Sequence, residues 1–315
     1  MNLTKKTLFW IFVLITLSGS FYLFDRKAEE NQRIAEENLK LLPFAVDEVT
    51  EFWVDDKTKA QRVRLVRDGD GWKMTEPLAA KGDDEAIDKL LVNVIKTRKD
   101  AVLFSEADEA KLQELGLASP ELEMGIRAKG EDVTILFGTK GPTHNVAYVM
   151  FKGHPEVYRV HSDVRKEAAQ GVYALRDKNI LDIEPVKLRR LEVQRKGMPR
   201  VVVEHHRGKW NMLEPTIGRA SMEKVLESLY AVDNAQAKSF ADESPSDLAA
   251  YGLDAPSLVL TIYEEEVQAP KTLYIGSKDR KRRGYFAMTN QARNVFVVEE
   301  DLVNTILVNM DKWLE

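Results

Sequence analysis

Apolar and polar residues alternate in VTEFWV (49–54) and QRVRLV (61–66), and again in LRRLEVQ (188–194) and RVVVEHH (200–206). A period of two with β-branched residues predicts strands, paired as hairpins that lead into GWKMTEP (71–77) and KWNMLEP (209–215). Beyond each Glu-Pro the period lengthens. Ile87, Leu90, Leu91, Val94 and Ile95 mark one face of a helix, and Val225, Leu226, Leu229 and Val232 mark one face of another, with Ser221 as its N-cap. A second, short helix is predicted before LGLASP (115–120) and before YGLDAP (251–256). In the latter, Ser244 is the expected cap, Pro245 fits the first turn and Gly252 supplies a left-handed end. Four strands then follow as a meander, through ILFG (135–138) or LYIG (273–276), a stretch with Tyr148 or Tyr285, and VYRV (157–160) or VFVV (295–298), to a final helix.

The order of these signals is the same twice, 138 residues apart, and Gly138 and Gly276 each stand 66 residues beyond their own tryptophan. An ordered series of matches is the signature of tandem duplication. The chain therefore reads as an α+β protein of two modules, residues 44–183 and 184–315. They abut through LDIEPVKLRR (181–190) without a Gly/Ser linker, so a rigid pair is expected.

Ahead of the modules, Thr7 to Phe24 runs 18 residues without a charge, enough for one transmembrane helix. Residues 1–27 read as an N-terminal anchor. A cleaved signal peptide is the rival, with small residues at Ser18, Gly19 and Ser20, but the apolar run continues through Phe24. Lys5 and Lys6 before the span are nearly balanced by Arg26 and Lys27 after it. A signal anchor of the inner membrane with the C-terminal body outside, in the periplasm, is the expectation. Ala-Glu-Glu-Asn recurs at Ala28 and Ala35, and Ala35, Leu39 and Leu42 form a stripe, so residues 28–43 read as a helical stalk ended by Pro43.

Composition narrows the functions. The 315 residues are 44% hydrophobic and 31% charged with a net charge of -5, which suits a globular chain and argues against nucleic-acid binding. Removing residues 1–27 takes away four basic and one acidic side chain, leaving a body of charge -8. There is no cysteine, hence no disulfide, thiolate nucleophile or Cys-ligated metal.

Trp72, Glu76, Pro77, Gly116, Pro120 and Gly138 in the first copy, and Trp210, Glu214, Pro215, Gly252, Asp254, Pro256 and Gly276 in the second, form a pattern that resembles the family called domain of unknown function 4340. The likeness covers nearly all of residues 45–315, twice, and is better in the second copy. The first has Leu115, Ala118 and Ser119 where the family tends to have Tyr, Asp and a variable residue. The resemblance implies one N-terminal span and association with ABC transporter subunits of the gliding-motility type. It implies no catalytic residues.

Candidate chemistry is sparse. His205 and His206 are neighbours in a strand and point to opposite faces, while His144, His154 and His161 are scattered, so neither a metal site nor a cofactor is expected. Ser221-x-x-Lys224 lacks the companion motifs of penicillin-recognising enzymes, and GTKGPTHN (138–145) lacks Gly-Lys-Ser/Thr before a helix. Asp83-Asp84-Glu85 suits a helix N-terminus, and Glu264-Glu265-Glu266 reads as a solvated hairpin tip. One feature breaks the symmetry of the copies: Lys278, Arg280, Lys281, Arg282 and Arg283 occupy the hairpin where the first copy has TKGPTHN. In an acidic body such a tip suits an anionic partner. The expected function is non-enzymatic: an envelope protein held in lipid through residues 7–24 and acting as accessory or scaffold subunit of an ABC-type export system. The alternative is a module that binds polysaccharide or another envelope component in a cleft between the copies.

Overall fold

The computed structural model describes residues 5–141, 145–265 and 269–314. It divides into two compact units, residues 1–177 and 178–315. The first holds α1 (Lys5–Leu39), β1 (Val49–Asp56), β2 (Gln61–Asp68), β3 (Gly71–Glu76), β4 (Ala80–Lys81), α2 (Asp84–Ile95), β5 (Lys99–Phe104), α3 (Glu109–Glu114), β6 (Leu122–Ala128), β7 (Glu131–Lys140), β8 (Val146–Phe151), β9 (Val157–His161), α4 (Asp163–Ala168) and α5 (Val172–Leu175). The second holds β10 (Leu188–Arg195), β11 (Val201–His206), β12 (Lys209–Glu214), β13 (Gly218–Arg219), α6 (Met222–Asp233), β14 (Ser239–Asp242), β15 (Leu258–Glu264), β16 (Lys271–Asp279), β17 (Gly284–Thr289), β18 (Val295–Glu299) and α7 (Glu300–Met310).

Each unit is built on one nine-stranded antiparallel sheet, in the order β4-β3-β2-β1-β6-β7-β8-β9-β5 and β13-β12-β11-β10-β15-β16-β17-β18-β14. The fold is α+β, and the two sheets repeat one topology. In each, the first strand of the opening hairpin pairs with the first strand of the meander, Trp53 opposite Gly125 and Glu192 opposite Thr261. This joins two antiparallel segments into one sheet. The edge strands β5 and β14 then cross over to β9 and β18.

Alternation decides the faces. In β1, Val49, Phe52 and Val54 point inward and are at most 1% exposed, packed with Val63, Leu65, Trp72 and Met74 beneath α2. The whole predicted face of α2 is buried, and Asp83 caps its start by accepting from the Ala86 amide at 3.1 Å. In α6, Val225, Leu229 and Val232 are buried and Leu226 is partly so; Ser228 is also buried, its hydroxyl donating to the Lys224 carbonyl at 3.0 Å.

Several expectations need correction. The helix ends at Leu39, before Pro43, and Leu41 and Leu42 turn into the first core at 2% and 1% exposure. Burying two leucines is worth roughly 3–6 kcal/mol, which outweighs one more turn of solvated helix. The units meet at 177–178 rather than 183–184, because Ile180, Leu181 and Ile183 are buried in the second core. Ser221 is the N-cap residue of α6 but makes no side-chain capping bond. Ser244 and Pro245 start no helix; the only turn there is a short 3-10 segment at Ala249–Tyr251, whose Ala249 amide is taken by Asp247. Among the described residues no helix is long and apolar enough to cross a membrane. The side chains of residues 5–13, 15, 17, 20 and 23, hence most of the run read as a span, lie outside the described residues.

The Gly-Leu-x-x-Pro turn has the same job in both units. Gly116 (φ 68°) and Gly252 (φ 66°) take left-handed backbone that reverses the chain onto the sheet. There the carbonyl of Leu115 accepts from the Thr139 amide at 2.8 Å, and that of Tyr251 accepts from the Ser277 hydroxyl at 3.0 Å. A methyl at Gly138 would lie 2.3 Å from the Leu115 oxygen, and one at Gly276 2.2 Å from the Tyr251 oxygen. Gly276→Ala is therefore expected to cost about 1–3 kcal/mol, the range for overpacking a filled site. Urea denaturation of the full chain measures it; an unchanged midpoint would mean that the turn does not press on β16.

Candidate functional site

The repeated tryptophans are placed inside the fold. Trp72 and Trp210 are each 3% exposed. Phe52 meets Trp72 edge-on at 5.4 Å between ring centres, the Arg67 guanidinium lies 4.4 Å from the ring centre, and the indole nitrogen donates to Asp88 at 3.4 Å. Trp210 packs against His205 at 5.3 Å. A surface groove of about 610 Å³ passes Gly71, Lys73, Lys81 and Asp84, yet Trp72 offers it almost no ring surface. Pro77 and Pro215 follow cis peptide bonds. Glu76 and Glu214 lie on the outer side of each sheet with arginines: Glu76 with Arg62 and Arg64 at 3.3 and 3.4 Å, Glu214 with Arg200 at 2.8 Å. The Arg200 guanidinium holds the Glu214 carboxyl below its ordinary pKa. Pro120 is buried, its carbonyl accepting from Lys57 at 2.9 Å, while Pro256 is half-buried and Asp254 is exposed. Leu115, which stands where the second copy has Tyr251, packs with Leu117, Leu136 and Val157; Tyr251 instead meets Phe286 edge-on and donates to Asp242 at 2.8 Å.

Of the Ser221/Lys224 pair, the lysine is engaged with a glutamate of its own helix. The Lys224 ammonium lies 2.8 Å from Glu227, which raises its pKa. Among the described residues no group of three His, Asp or Glu side chains is placed to hold a metal, and His144 lies outside them.

The basic hairpin between β16 and β17 is different in kind. Its turn is closed from within: one oxygen of Asp279 accepts from the amides of Lys281 and Arg282 at 2.9 and 3.2 Å, and the other from the Arg282 guanidinium at 2.7 Å. Arg282 thereby keeps the Asp279 carboxyl below its usual pKa. Arg283 takes φ 53°, and its carbonyl accepts from Lys238, which also pairs with Glu299 at 2.8 Å. Lys278 reaches Glu300 at 2.8 Å, and that carboxylate raises the lysine's pKa. So two of the five cations are neutralised by the protein itself. Arg280, Lys281 and Arg283 are exposed and form no ion pair among the described residues.

Two features carried no usable sequence signal. Trp313 is fully buried and its indole donates to the Lys224 carbonyl at 3.2 Å, although no tryptophan stands at the end of the first copy. Glu264, expected in a solvated tip, is buried and paired with Lys271 at 2.6 Å. It also accepts from the Glu184 amide at 2.7 Å, and Lys271 donates to the Asp182 carbonyl, so the pair fastens the chain at 182–184 to the second sheet.

The repeat has a counterpart among known sequences. A model of the family described as Domain of unknown function (DUF4340) matches residues 72–230 and, a second time, residues 210–315. No curated protein and no solved structure matches the chain. With two overlapping matches that together run from Trp72 to the last residue, the chain belongs to the Domain of unknown function (DUF4340) family.

Proposed function

We propose that the protein is a non-enzymatic, membrane-anchored envelope protein that serves as accessory or scaffold subunit of an ABC-type export system. The observation that carries the anchor is α1, one helix of 35 residues. Of its described side chains within the uncharged run, Leu14, Phe21, Tyr22 and Phe24 are 67%, 73%, 58% and 78% exposed. Large apolar groups displayed together on a helix favour an apolar medium. The run itself, at about 1.5 Å per residue, approaches the roughly 30 Å thickness of a bilayer core. Leu41 and Leu42 fasten the other end of the helix into the first unit, so lipid would hold the whole body. The transporter association rests on the family resemblance. The N-terminus is inside and the two units lie outside the cytoplasmic membrane.

Alkaline phosphatase fused after Glu37 tests this topology. The fusion is expected to be active and to sediment with membranes after alkaline extraction. An inactive fusion, or a mature protein that begins near Phe21, contradicts the anchor.

A further inference from the structure

The three unneutralised cations of the β16–β17 turn stand on a rigid support. Asp279 fixes the turn through three hydrogen bonds, and Lys238 holds the Arg283 carbonyl at 3.3 Å. The side chains that would otherwise cancel charge are already engaged, Arg282 with Asp279 and Lys278 with Glu300. Duplication gave the first unit a hairpin at the same place, between β7 and β8, and there the sequence from Gly141 to Asn145 has no Lys or Arg. A preorganised turn binds with less loss of freedom than a floppy one.

We propose that Arg280, Lys281 and Arg283 form a docking point for a carboxylate-rich segment of another protein. Guanidinium groups match carboxylates in planar, two-bonded geometry, and Lys281 adds a point charge. The surroundings select a narrow ligand over a flat one. Beyond residue 27 the chain carries a net charge of -8, so a broad anionic surface such as a lipid bilayer would face that acidic excess as well as the tip, whereas a single acidic strand meets the tip alone. The inference does not depend on the membrane anchor.

The test uses the full chain in neutral detergent and a fluorescent peptide of twelve glutamates, followed by anisotropy. The variant is Arg280→Ser, Lys281→Ser, Arg283→Asn, the asparagine chosen because it tolerates the left-handed backbone at that position. A charge-matched control removes exposed cations from the β10–β11 turn and the β11–β12 hairpin of the same unit: Lys196→Ser, Arg207→Asn, Lys209→Ser. Wild type and control are expected to bind alike, with the hairpin variant about tenfold weaker or worse at low salt and the difference shrinking as salt screens it. The proposal is overturned if wild type does not bind, if the control loses as much as the variant, or if the variant binds the peptide normally. It is also overturned if the variant keeps peptide binding and loses only its preference for vesicles of phosphatidylglycerol over phosphatidylcholine. Partition into the neutral vesicles reports on the anchor separately.

Discussion

Trp210→Ala, and likewise Trp72→Ala, is expected to destabilise its unit by about 3–5 kcal/mol, the cost of emptying a large buried site. Both indoles are 3% exposed and sit at the strand-to-helix corner beneath α2 or α6. Trp72 loses more than volume, because Phe52, Asp88 and Arg67 each lose a partner. In a thermal melt of the full chain the affected transition should fall by on the order of 10 °C. Trp210→Phe should recover part of the loss. An unchanged melt would mean that the ring is a binding surface and not a piece of the core.

The second large effect is expected at Glu264. Its carboxylate side chain is 4% exposed and that of Lys271 18%, so the 2.6 Å pair is almost cut off from water. Glu264→Ala leaves the ammonium with the Asp182 carbonyl but no counter-charge and the Glu184 amide without its acceptor, and a broken buried pair typically costs about 3–5 kcal/mol. Lys271 is the more exposed partner and can regain some water, which favours the lower end. Glu264→Leu with Lys271→Met removes both charges at once and should regain most of the stability, since apolar replacements of buried pairs are often close to neutral. Urea denaturation of the single and double variants decides: equal losses in both would mean that the charges are solvated after all and that the packing alone matters.

The local parts of this fold were legible because their signals are local. The period of two in 49–66 and 188–206 and the stripe from Ile87 to Ile95 correspond to β1, β2, β10, β11 and the buried face of α2. Gly138 and Gly276 could be placed, although their reason, a turn carbonyl 2.2–2.3 Å from where a Cβ would be, belongs to a segment more than twenty residues away. What failed was non-local. Nothing in the spelling of β1 says that it pairs with β6, or that β5 crosses to β9, since both choices depend on segments distant in the chain. Ser244 and Pro245 look like a helix start, but Asp242 and Asp247 take the amides of Ser244 and Ala249 and hold a turn instead. Glu264 reads as part of an acidic tip until Lys271 and the 182–184 segment close over it. At the basic hairpin the five charges were visible in sequence. That Arg282 is spent on Asp279 could be suspected from their spacing of three, whereas the loss of Lys278 to Glu300 could not.

The proposal assigns two roles: the tryptophans shared by the two copies serve the fold, and the hairpin cations present in one copy alone serve recognition. Melting temperature and glutamate-peptide affinity, measured together on Trp210→Ala at a temperature where it remains folded and on the triple hairpin variant, test that division most directly. The account predicts a lowered melt with near-normal affinity for Trp210→Ala, and a normal melt with about tenfold weaker affinity for the hairpin variant. The reverse pattern, a tryptophan variant that melts normally but no longer binds or a hairpin variant that binds normally but melts early, would contradict it.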